Sequence, residues 1–267
     1  HNELDLFLAS SAFYRQMLGN SARDIATAQS TRATDPNHSE GSVFLVRGER
    51  LDLLGFNQLR NKRIGFSRAF GFSGYASAVG ELWLRGLPTD GFFKEVKNFP
   101  ADPRTVLTAL RDKTVDAVVL PTCLLEWFTE RESFDTSWLR VLEPRQEESL
   151  RCVHSTALYP NLTLASLPSL PPAHSRQITQ TLLNMPPVDG NLFWSIATDF
   201  QWIDNLLRHM ELDPWAKERQ TTILSLIQKY RLYLAVLFAG LLLVGAHGLI
   251  LSLLVKRRTA ELSNALV

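Results

Sequence analysis

Short apolar runs alternate with amphipathic segments in the central part of the chain. Two runs, 62–66 and 116–121, read as strands, and the segment 92–99 contains a third. Two segments between them place apolar residues at helical spacing: 76–87 and 104–113. Asp102-Pro103 is a typical start for the second helix, because proline fits the first helical position. Strand–helix–strand–helix–strand order predicts right-handed crossovers and a parallel sheet.

Further strands and helices are predicted on both sides of this series. The additional strand-like runs are 5–9, 25–29, 42–46, 153–158 and 162–167. The additional helices are AFYRQML, directly after the first run, and the segments 174–184 and 199–210. The chain up to about residue 212 is therefore predicted to be a mixed α/β structure.

A run of 24 residues near the end, 232–255, contains no acidic residue, lysine, arginine or proline. As a helix it extends about 36 Å, more than the hydrocarbon core of about 30 Å. Lys256, Arg257 and Arg258 follow it directly, and a basic cluster of this kind marks the cytoplasmic side. The sequence thus predicts a linker helix over 213–231, a transmembrane helix, and a cytoplasmic stretch over 256–267. Residues 1–231 are predicted to lie outside the cytoplasm.

Composition changes this picture in three ways. The 28 basic and 27 acidic residues give a net charge of +1, so no nucleic-acid partner is expected. The chain begins at His1 without a signal peptide, and because an external domain needs an export signal, we expect a fragment that lacks its N-terminus. The two cysteines, Cys123 and Cys152, either form a disulfide across a loop of about 30 residues or remain buried free thiols.

The sequence contains no motif of a catalytic, cofactor or metal site. It lacks the G-x-S-x-G, H-E-x-x-H, P-loop and dinucleotide-binding patterns, so no catalytic residue and no cofactor are predicted. Cys152 and His154 share one face of a predicted strand, but two ligands are too few for a metal ion. We therefore expect this chain not to be an enzyme.

Small polar residues at strand ends indicate an anion site. At the start of a helix, free backbone N–H groups and the helix dipole favour an anion. The residues concerned are Ser10-Ser11, Ser73-Gly74-Tyr75 and Ser155-Thr156. Each alone is an ordinary cap or strand residue, but together, at strand ends that face one crevice, they favour a ligand site. Arg32, Arg68 and Tyr75 are the candidates to add positive charge or a ring.

Several motifs resemble the periplasmic phosphate/phosphonate-type solute-binding proteins over residues 1 to about 212. The motifs are FSGYASAVGELWLRGLPTDGFFKEV, VDAVVLP, CVHSTALYPNLTLASLP and WSIATDF. The resemblance implies an α/β, two-lobed fold of the type II periplasmic-binding-protein class, followed by one transmembrane helix. Lobe 1 is expected at about 1–60 and 147–212, and lobe 2 at about 61–146. The family's first strand and helix are absent, which implies an incomplete first lobe.

The family's ligand contacts transfer only to positions that match its motifs. The helix-start anion site falls on Ser73, Gly74 and Tyr75, and the return-strand hydroxyls fall on Ser155 and Thr156. The first-lobe junction is often asparagine-proline in the family, and this chain departs from it with Ser10-Ser11. The ligand implied is a small anion.

Two cysteine-containing motifs narrow the resemblance. LPTCLLEWF and RCVHSTALYP resemble the sensor domain of tetrathionate sensor histidine kinases, and KRRTAEL resembles the helix that leads to their kinase part. This implies a bacterial inner-membrane sensor for tetrathionate or a related sulfur oxyanion, dimeric through its linker and transmembrane helices. Lobe closure is expected to signal to a kinase part, absent from this chain, and its response regulator. Cys123 is a candidate ligand contact, and whether it pairs with Cys152 or reacts as a thiol stays open.

Two other classes of function compete with this reading. A membrane-anchored phosphate/phosphonate-type binding protein of an ABC transporter is the main alternative, although a C-terminal span followed by KRRTAEL is atypical of it. An α/β hydrolase or transferase is the third class, and no motif supports it.

Overall fold

The computed structural model describes residues 4–131, 135–189, 191–216, 227–228, 230–233, 235–248, 250–251 and 255. The chain divides into two compact units, residues 1–214 and residues 215–267. In the described part of the chain, Tyr230–Gly248 is the one helix long and apolar enough to cross a membrane, and none of it is buried inside the protein. Residues 217–226 of the predicted linker helix and the predicted cytoplasmic stretch 256–267 lie outside the described residues.

The first unit consists of short strands and helices. In chain order the strands are β1 (Leu6–Ala9), β2 (Arg23–Ser30), β3 (Ser42–Arg47), β4 (Arg63–Phe66), β5 (Glu95–Asn98), β6 (Ala117–Pro121), β7 (Leu139–Val141), β8 (Arg145–Glu147), β9 (Leu150–His154), β10 (Thr163–Ser166) and β11 (Leu192–Ser195). The helices are α1 (Ser11–Met17), α2 (Tyr75–Leu84), α3 (Pro103–Arg111), α4 (Leu124–Arg131), α5 (Pro172–Leu183) and α6 (Gln201–His209).

The strands form two main sheets, which define two lobes. The first-lobe sheet has the order β1-β10-β2-β11, and all its neighbours are antiparallel. The second-lobe sheet has the order β5-β4-β6-β3-β7. In it β4 is parallel to β5 and β6, as the strand–helix spacing predicted, whereas β3 is antiparallel to β6 and β7. The strands β8 and β9 form a separate antiparallel pair.

The second-lobe sheet is buried on both faces. Phe44 and Val46 of β3 point into one apolar core, and Val43 and Leu45 point into another. This alternation is the period of two expected of a strand, and it explains why SVFLV is apolar at every position after its first serine.

Helix α2 lies between the lobes. Ala78 and Leu82 pack into a core of the second lobe, whereas Ala76 and Trp83 pack against the core of the first. A Cβ at Gly80 would lie 3.0 Å from a methyl carbon of Leu206 in α6, so the glycine allows a close approach of the two helices. The helix therefore couples the two cores directly.

The position of β3 corrects one predicted boundary. Lobe 1 was expected to extend to about residue 60, but β3 is an inner strand of the second-lobe sheet. The chain leaves the first lobe after β2 and crosses to the second through residues 31–41. It returns between β9 and β10. A strand apolar on both faces requires a packed core above and below its sheet, and β3 has one on each face.

Candidate functional site

A polar cavity of about 320 Å³ opens where the two crossover segments meet the second lobe. First-lobe and crossover residues supply one side, and the end of β6 with α4 supplies the other. The residues that line it are Ser30, Arg32, Ser39, Glu40, Pro121, Thr122, Cys123, Trp127, Glu130, Arg131, Asn161, Asn191 and Leu192. Its volume lies in the range typical of small-molecule sites.

Two arginines and two glutamates determine the charge of this cavity. Arg32, directly after β2, forms a two-pronged ion pair with Glu130 of α4, with 3.2 Å between Nη1 and Oε1. This pairing lowers the pKa of the Glu130 carboxyl. Since Arg32 lies at the start of the first crossover and Glu130 on α4 of the second lobe, the pair spans the cavity. Arg131, next to Glu130, adds a second positive charge.

Glu40 is the second carboxylate, and unlike Glu130 it is buried. Its residue is 9% exposed, and its Oε2 atom has no hydrogen-bond partner. The backbone of Glu40 pairs with Tyr159 of the return crossover, so its position is fixed by both crossover segments. Burial raises the pKa of the Glu40 carboxyl to about 7, and a hydrogen bond with the Ser73 side chain opposes this rise.

Cys123 and Cys152 form a disulfide at the edge of the cavity. Cys123 comes immediately before α4, which carries Trp127, Glu130 and Arg131 into the cavity wall. The bond thus fixes the start of α4 to β9, and a second link joins the same elements, because Val153 N–H donates to the Glu126 carboxylate at 2.7 Å.

The predicted serines at the helix starts lie close together but are already hydrogen-bonded. Ser10 caps α1. Gly71, which has a φ of 61°, lies close to this cap: a Cβ built on Gly71 would be 3.9 Å from the Cβ of Ser10. The Ser11 hydroxyl donates to the Pro160 carbonyl at 2.6 Å, and that of Ser73 donates to the Phe70 carbonyl at 3.0 Å. Of these residues, Ser73 is linked to the cavity through Glu40.

The predicted return-strand hydroxyls are completely buried in the crossover. Ser155 Oγ donates to the Leu142 carbonyl at 2.7 Å and accepts from the Phe44 N–H at 3.1 Å. Thr156 Oγ1 accepts from the Ser42 N–H at 2.9 Å. Both side chains therefore satisfy the backbone where the chain changes lobes and do not line the cavity.

Gly74, Tyr75 and Arg68 also lie apart from the cavity. A Cβ at Gly74 would lie 2.8 Å from the Ser67 carbonyl oxygen, which explains the glycine by close packing. The Tyr75 ring packs on Phe66 at 4.9 Å, and burial raises the pKa of its phenol. Arg68 is exposed and borders a different surface depression, together with Tyr75. Of the predicted residues, only Arg32 and Cys123 line the cavity.

Sequence reasoning missed α4 and Glu40. The signal for α4 was present, because Leu124, Leu125 and Phe128 of LLEWFTER have helical spacing. Glu40 carried a weaker signal, as a single acid two residues before an apolar strand. No group of three or more histidine, cysteine or acidic side chains in the described part of the chain is placed to hold a metal ion.

Comparison with known proteins gives a family and a sensor relative. Residues 1–201 match the family model described as the periplasmic substrate-binding protein of a phosphonate ABC transporter. The tetrathionate sensor histidine kinase TtrS of Salmonella typhimurium is 28% identical over 244 residues, which is 91% of this chain and 40% of that protein. The chain thus spans well under half the length of this relative.

Solved structures share the fold at low sequence identity. PhnD1 from Prochlorococcus marinus (MIT 9301), in complex with methylphosphonate, superposes with a TM-score of 0.55 and 16% identity, covering 79% of this chain and 80% of that one. XAC2383 from Xanthomonas citri, bound to chloride ion, gives a TM-score of 0.51 at 17% identity, covering 87% and 80%. The predicted two-lobed periplasmic-binding-protein fold is confirmed.

Proposed function

Since this chain belongs to the family of periplasmic substrate-binding proteins of phosphonate ABC transporters, we propose that its first unit binds a small oxyanion in the cavity described above. The observation that carries this proposal is the cavity wall. Arg32 and Arg131 provide positive charge, and hydroxyl and amide groups of Ser30, Thr122 and Asn161 provide hydrogen-bond donors. Guanidinium groups are well suited to oxyanions, because their N–H groups match two oxygens at once.

The proposed ligand class is a sulfur oxyanion, with tetrathionate as the leading candidate. The support is the tetrathionate sensor relative, which aligns with 91% of this chain, whereas the solved structures share only the fold. Tetrathionate carries two sulfonate groups with no proton to donate, so it needs cations and neutral donors around it.

The proposed role of the chain is the sensing part of a membrane histidine kinase. The apolar helix Tyr230–Gly248 follows the binding unit and has the length and composition to cross a bacterial inner membrane. Ligand binding would favour one arrangement of the lobes, and the linker would transmit this preference to a dimeric kinase and its response regulator.

The pair between Arg32 and Glu130 gives this mechanism a specific step. An anion that contacts Arg32 competes with Glu130, so binding replaces a direct contact between the first crossover and α4 with a contact through the ligand. The carboxylate is more than half exposed, and such pairs contribute little, so the competition weakens binding only modestly.

Calorimetry of the full chain in detergent tests the proposed function. Titrations with tetrathionate, thiosulfate, sulfate and methylphosphonate should show tightest binding for a sulfur oxyanion. Arg32→Ala should weaken it at least tenfold, because a charged hydrogen bond to the ligand is lost. Glu130→Gln should tighten binding about two- to fivefold, since it releases Arg32. Arg68→Ala, outside the cavity, is the matched control and should bind like the wild type.

The titrations distinguish the proposed function from its alternative. Absence of binding to all four anions contradicts the proposed function. Tight binding of methylphosphonate alone contradicts the sulfur-oxyanion class and favours the alternative, a membrane-anchored binding protein of an importer, which the family description supports. The coding sequence that follows Val267 separates the two roles, since kinase motifs in frame support the sensor.

A further inference from the structure

The disulfide between Cys123 and Cys152 borders the cavity that we propose to bind an anion. Its two residues differ in their access to that cavity. Cys123 is partly exposed and forms part of the wall, whereas Cys152 is 2% exposed, lies in a small apolar cluster and does not line the cavity. A molecule in the cavity therefore reaches the bond from the side of Cys123.

Cys123 also lies at the start of a helix. The Trp127 N–H donates to the Cys123 carbonyl at 3.0 Å, which is the hydrogen bond that opens α4. The positive end of a helix favours a thiolate, the reactive form of cysteine, and Arg32 and Arg131 in the same cavity wall favour the same charge. When reduced, the pair thus offers one cysteine suited to attack and a second, buried cysteine to complete a disulfide.

The proposed ligand contains a bond that thiolates cleave. Tetrathionate consists of two thiosulfate halves joined by a central S–S bond, and a thiolate attacks this bond as it attacks a disulfide. Its two ends are sulfonate groups, which a guanidinium group holds well. The cavity therefore combines a group that holds the ends of the ligand, Arg32, with a group that attacks its centre, Cys123.

We infer that the reduced form of this pair is oxidised by tetrathionate held in the cavity, with Cys123 as the attacking residue and Cys152 as the residue that resolves the adduct. The inference rests on the proposed function, because the cavity has to hold the oxidant beside Cys123. It adds a redox reaction to the binding of the anion.

The reaction proceeds in two exchange steps. The Cys123 thiolate attacks one of the two central sulfur atoms, the central S–S bond breaks, and one half leaves as thiosulfate while the other stays bound to the Cys123 sulfur. The Cys152 thiolate then attacks the Cys123 sulfur, which forms the protein disulfide and releases the second thiosulfate. The two thiols lose two protons and two electrons, and the electrons reduce tetrathionate to two thiosulfate ions.

The reaction changes a link between two elements of the cavity. The disulfide fixes the start of α4 to β9, and this link remains after thiosulfate has left. An oxyanion without an S–S bond leaves no such change. The chain thus distinguishes an oxidising sulfur anion from an unreactive one by chemistry as well as by affinity.

Single-cysteine variants of the full chain in detergent test the roles of the two cysteines. After reduction and removal of the reductant, Cys152→Ala should react with tetrathionate and keep one S₂O₃ group on Cys123, detected by mass spectrometry. Cys123→Ala should react at least about tenfold more slowly, because Cys152 is buried. Reduced wild type should release two thiosulfate ions per chain and regain its disulfide.

A neutral aromatic disulfide, used as a second reagent, separates binding of the oxidant from reactivity of the thiol. Arg32→Ala should slow the reaction of Cys123 with tetrathionate about tenfold, because a charged contact with a sulfonate is lost. It should change the reaction with the neutral reagent much less. Arg68→Ala, outside the cavity, is the matched control and should react like the wild type with both reagents.

Reduced wild type gives a test that does not depend on how a variant folds. Acid quenching during its reaction should trap the adduct on Cys123, and an adduct on Cys152 overturns the inference. Reaction of the folded, reduced chain no faster than in urea also overturns it, as does loss of the native near-ultraviolet circular dichroism on reduction. In each case, calorimetric binding of tetrathionate by the oxidised chain leaves the proposed function intact. Failure to bind and failure to react together overturn both.

Discussion

Removal of the disulfide should destabilise the binding unit by a large and calculable amount. The bond joins Cys123 and Cys152, 29 positions apart in sequence. A cross-link that closes a loop of about 30 residues lowers the entropy of the unfolded chain by about 12 cal/mol/K, equivalent to about 3.6 kcal/mol at 25 °C. For a unit of this size, each kcal/mol corresponds to about 2–4 °C in Tm, so a decrease of about 10 °C is expected.

The native structure gives two reasons why the measured loss should approach this value. Cys152 is buried in a small apolar cluster with Ala33, Leu150 and Leu158, so alanine at both cysteines adds no buried polar group. The hydrogen bond from Val153 to Glu126 continues to hold α4 on β9 after the bond is removed. The folded state should therefore change little, and the effect should come from the unfolded chain.

Thermal unfolding followed by near-ultraviolet circular dichroism measures this loss. Cys123→Ala/Cys152→Ala and reduced wild type should melt at similar temperatures, both about 10 °C below oxidised wild type. The chain has two cysteines in total, so reductant should leave the double variant unchanged. A decrease under 2 °C would refute the entropic argument. A variant that lacks native circular dichroism altogether would show that the bond is needed to form α4.

Two further predictions concern buried carboxyls outside the cavity. Burial raises the pKa of Asp24 to about 6, so its ionised form destabilises the folded state above pH 6. Asp24→Asn should therefore increase the stability at pH 8 by about 1–2 kcal/mol, seen as a higher Tm, and the gain should disappear at about pH 2.5, where aspartate is protonated in both states. Stability curves without this crossover would contradict the argument. Glu81 is buried and pairs with Arg85 and Arg145, so Glu81→Ala should cost about 3–5 kcal/mol in urea unfolding. A loss under 1 kcal/mol would show that the pairs are replaceable by water.

The spacing of apolar residues predicted the helices and strands whose pattern is strong and local. It failed where the answer depends on contacts between residues distant in sequence. The run 116–121 and the helix after Asp102 are found almost at their predicted bounds, because an apolar strand and a capped helix are local properties. The lobe that β3 joins is not local, since its apolar residues would fit the centre of either sheet. Helix α4 was missed because its apolar face is short, with Leu124, Leu125 and Phe128 in a helix of eight residues.

The site was predicted in part for a similar reason. A serine or threonine at a strand end either contacts a ligand or satisfies the backbone, and sequence does not separate the two. Ser155 and Thr156 satisfy backbone groups of β3 and its neighbours, because the crossover leaves N–H and carbonyl groups that the sheets do not pair. Arg32 and Arg68 were both predicted as positive charges near the anion site. Only Arg32 lines the cavity, because charge alone does not say where a side chain lies in the fold.

The first crossover, which carries Glu40, is hydrogen-bonded both to the return crossover and to α2. Glu40 lies on the first crossover, two residues before Ser42, whose N–H is held by Thr156 on the return crossover. The Ser42 hydroxyl also contacts the Ser73 carbonyl and the Ser77 hydroxyl at the start of α2, the helix that packs on both lobes. A ligand that contacts the first crossover therefore acts on one hydrogen-bonded network that joins both crossovers to α2. A ligand that contacts α4 reaches the return crossover by a second path, because the disulfide and the bond from Val153 to Glu126 fix α4 to β9. Both walls of the cavity are thus connected to the segments that set the arrangement of the lobes.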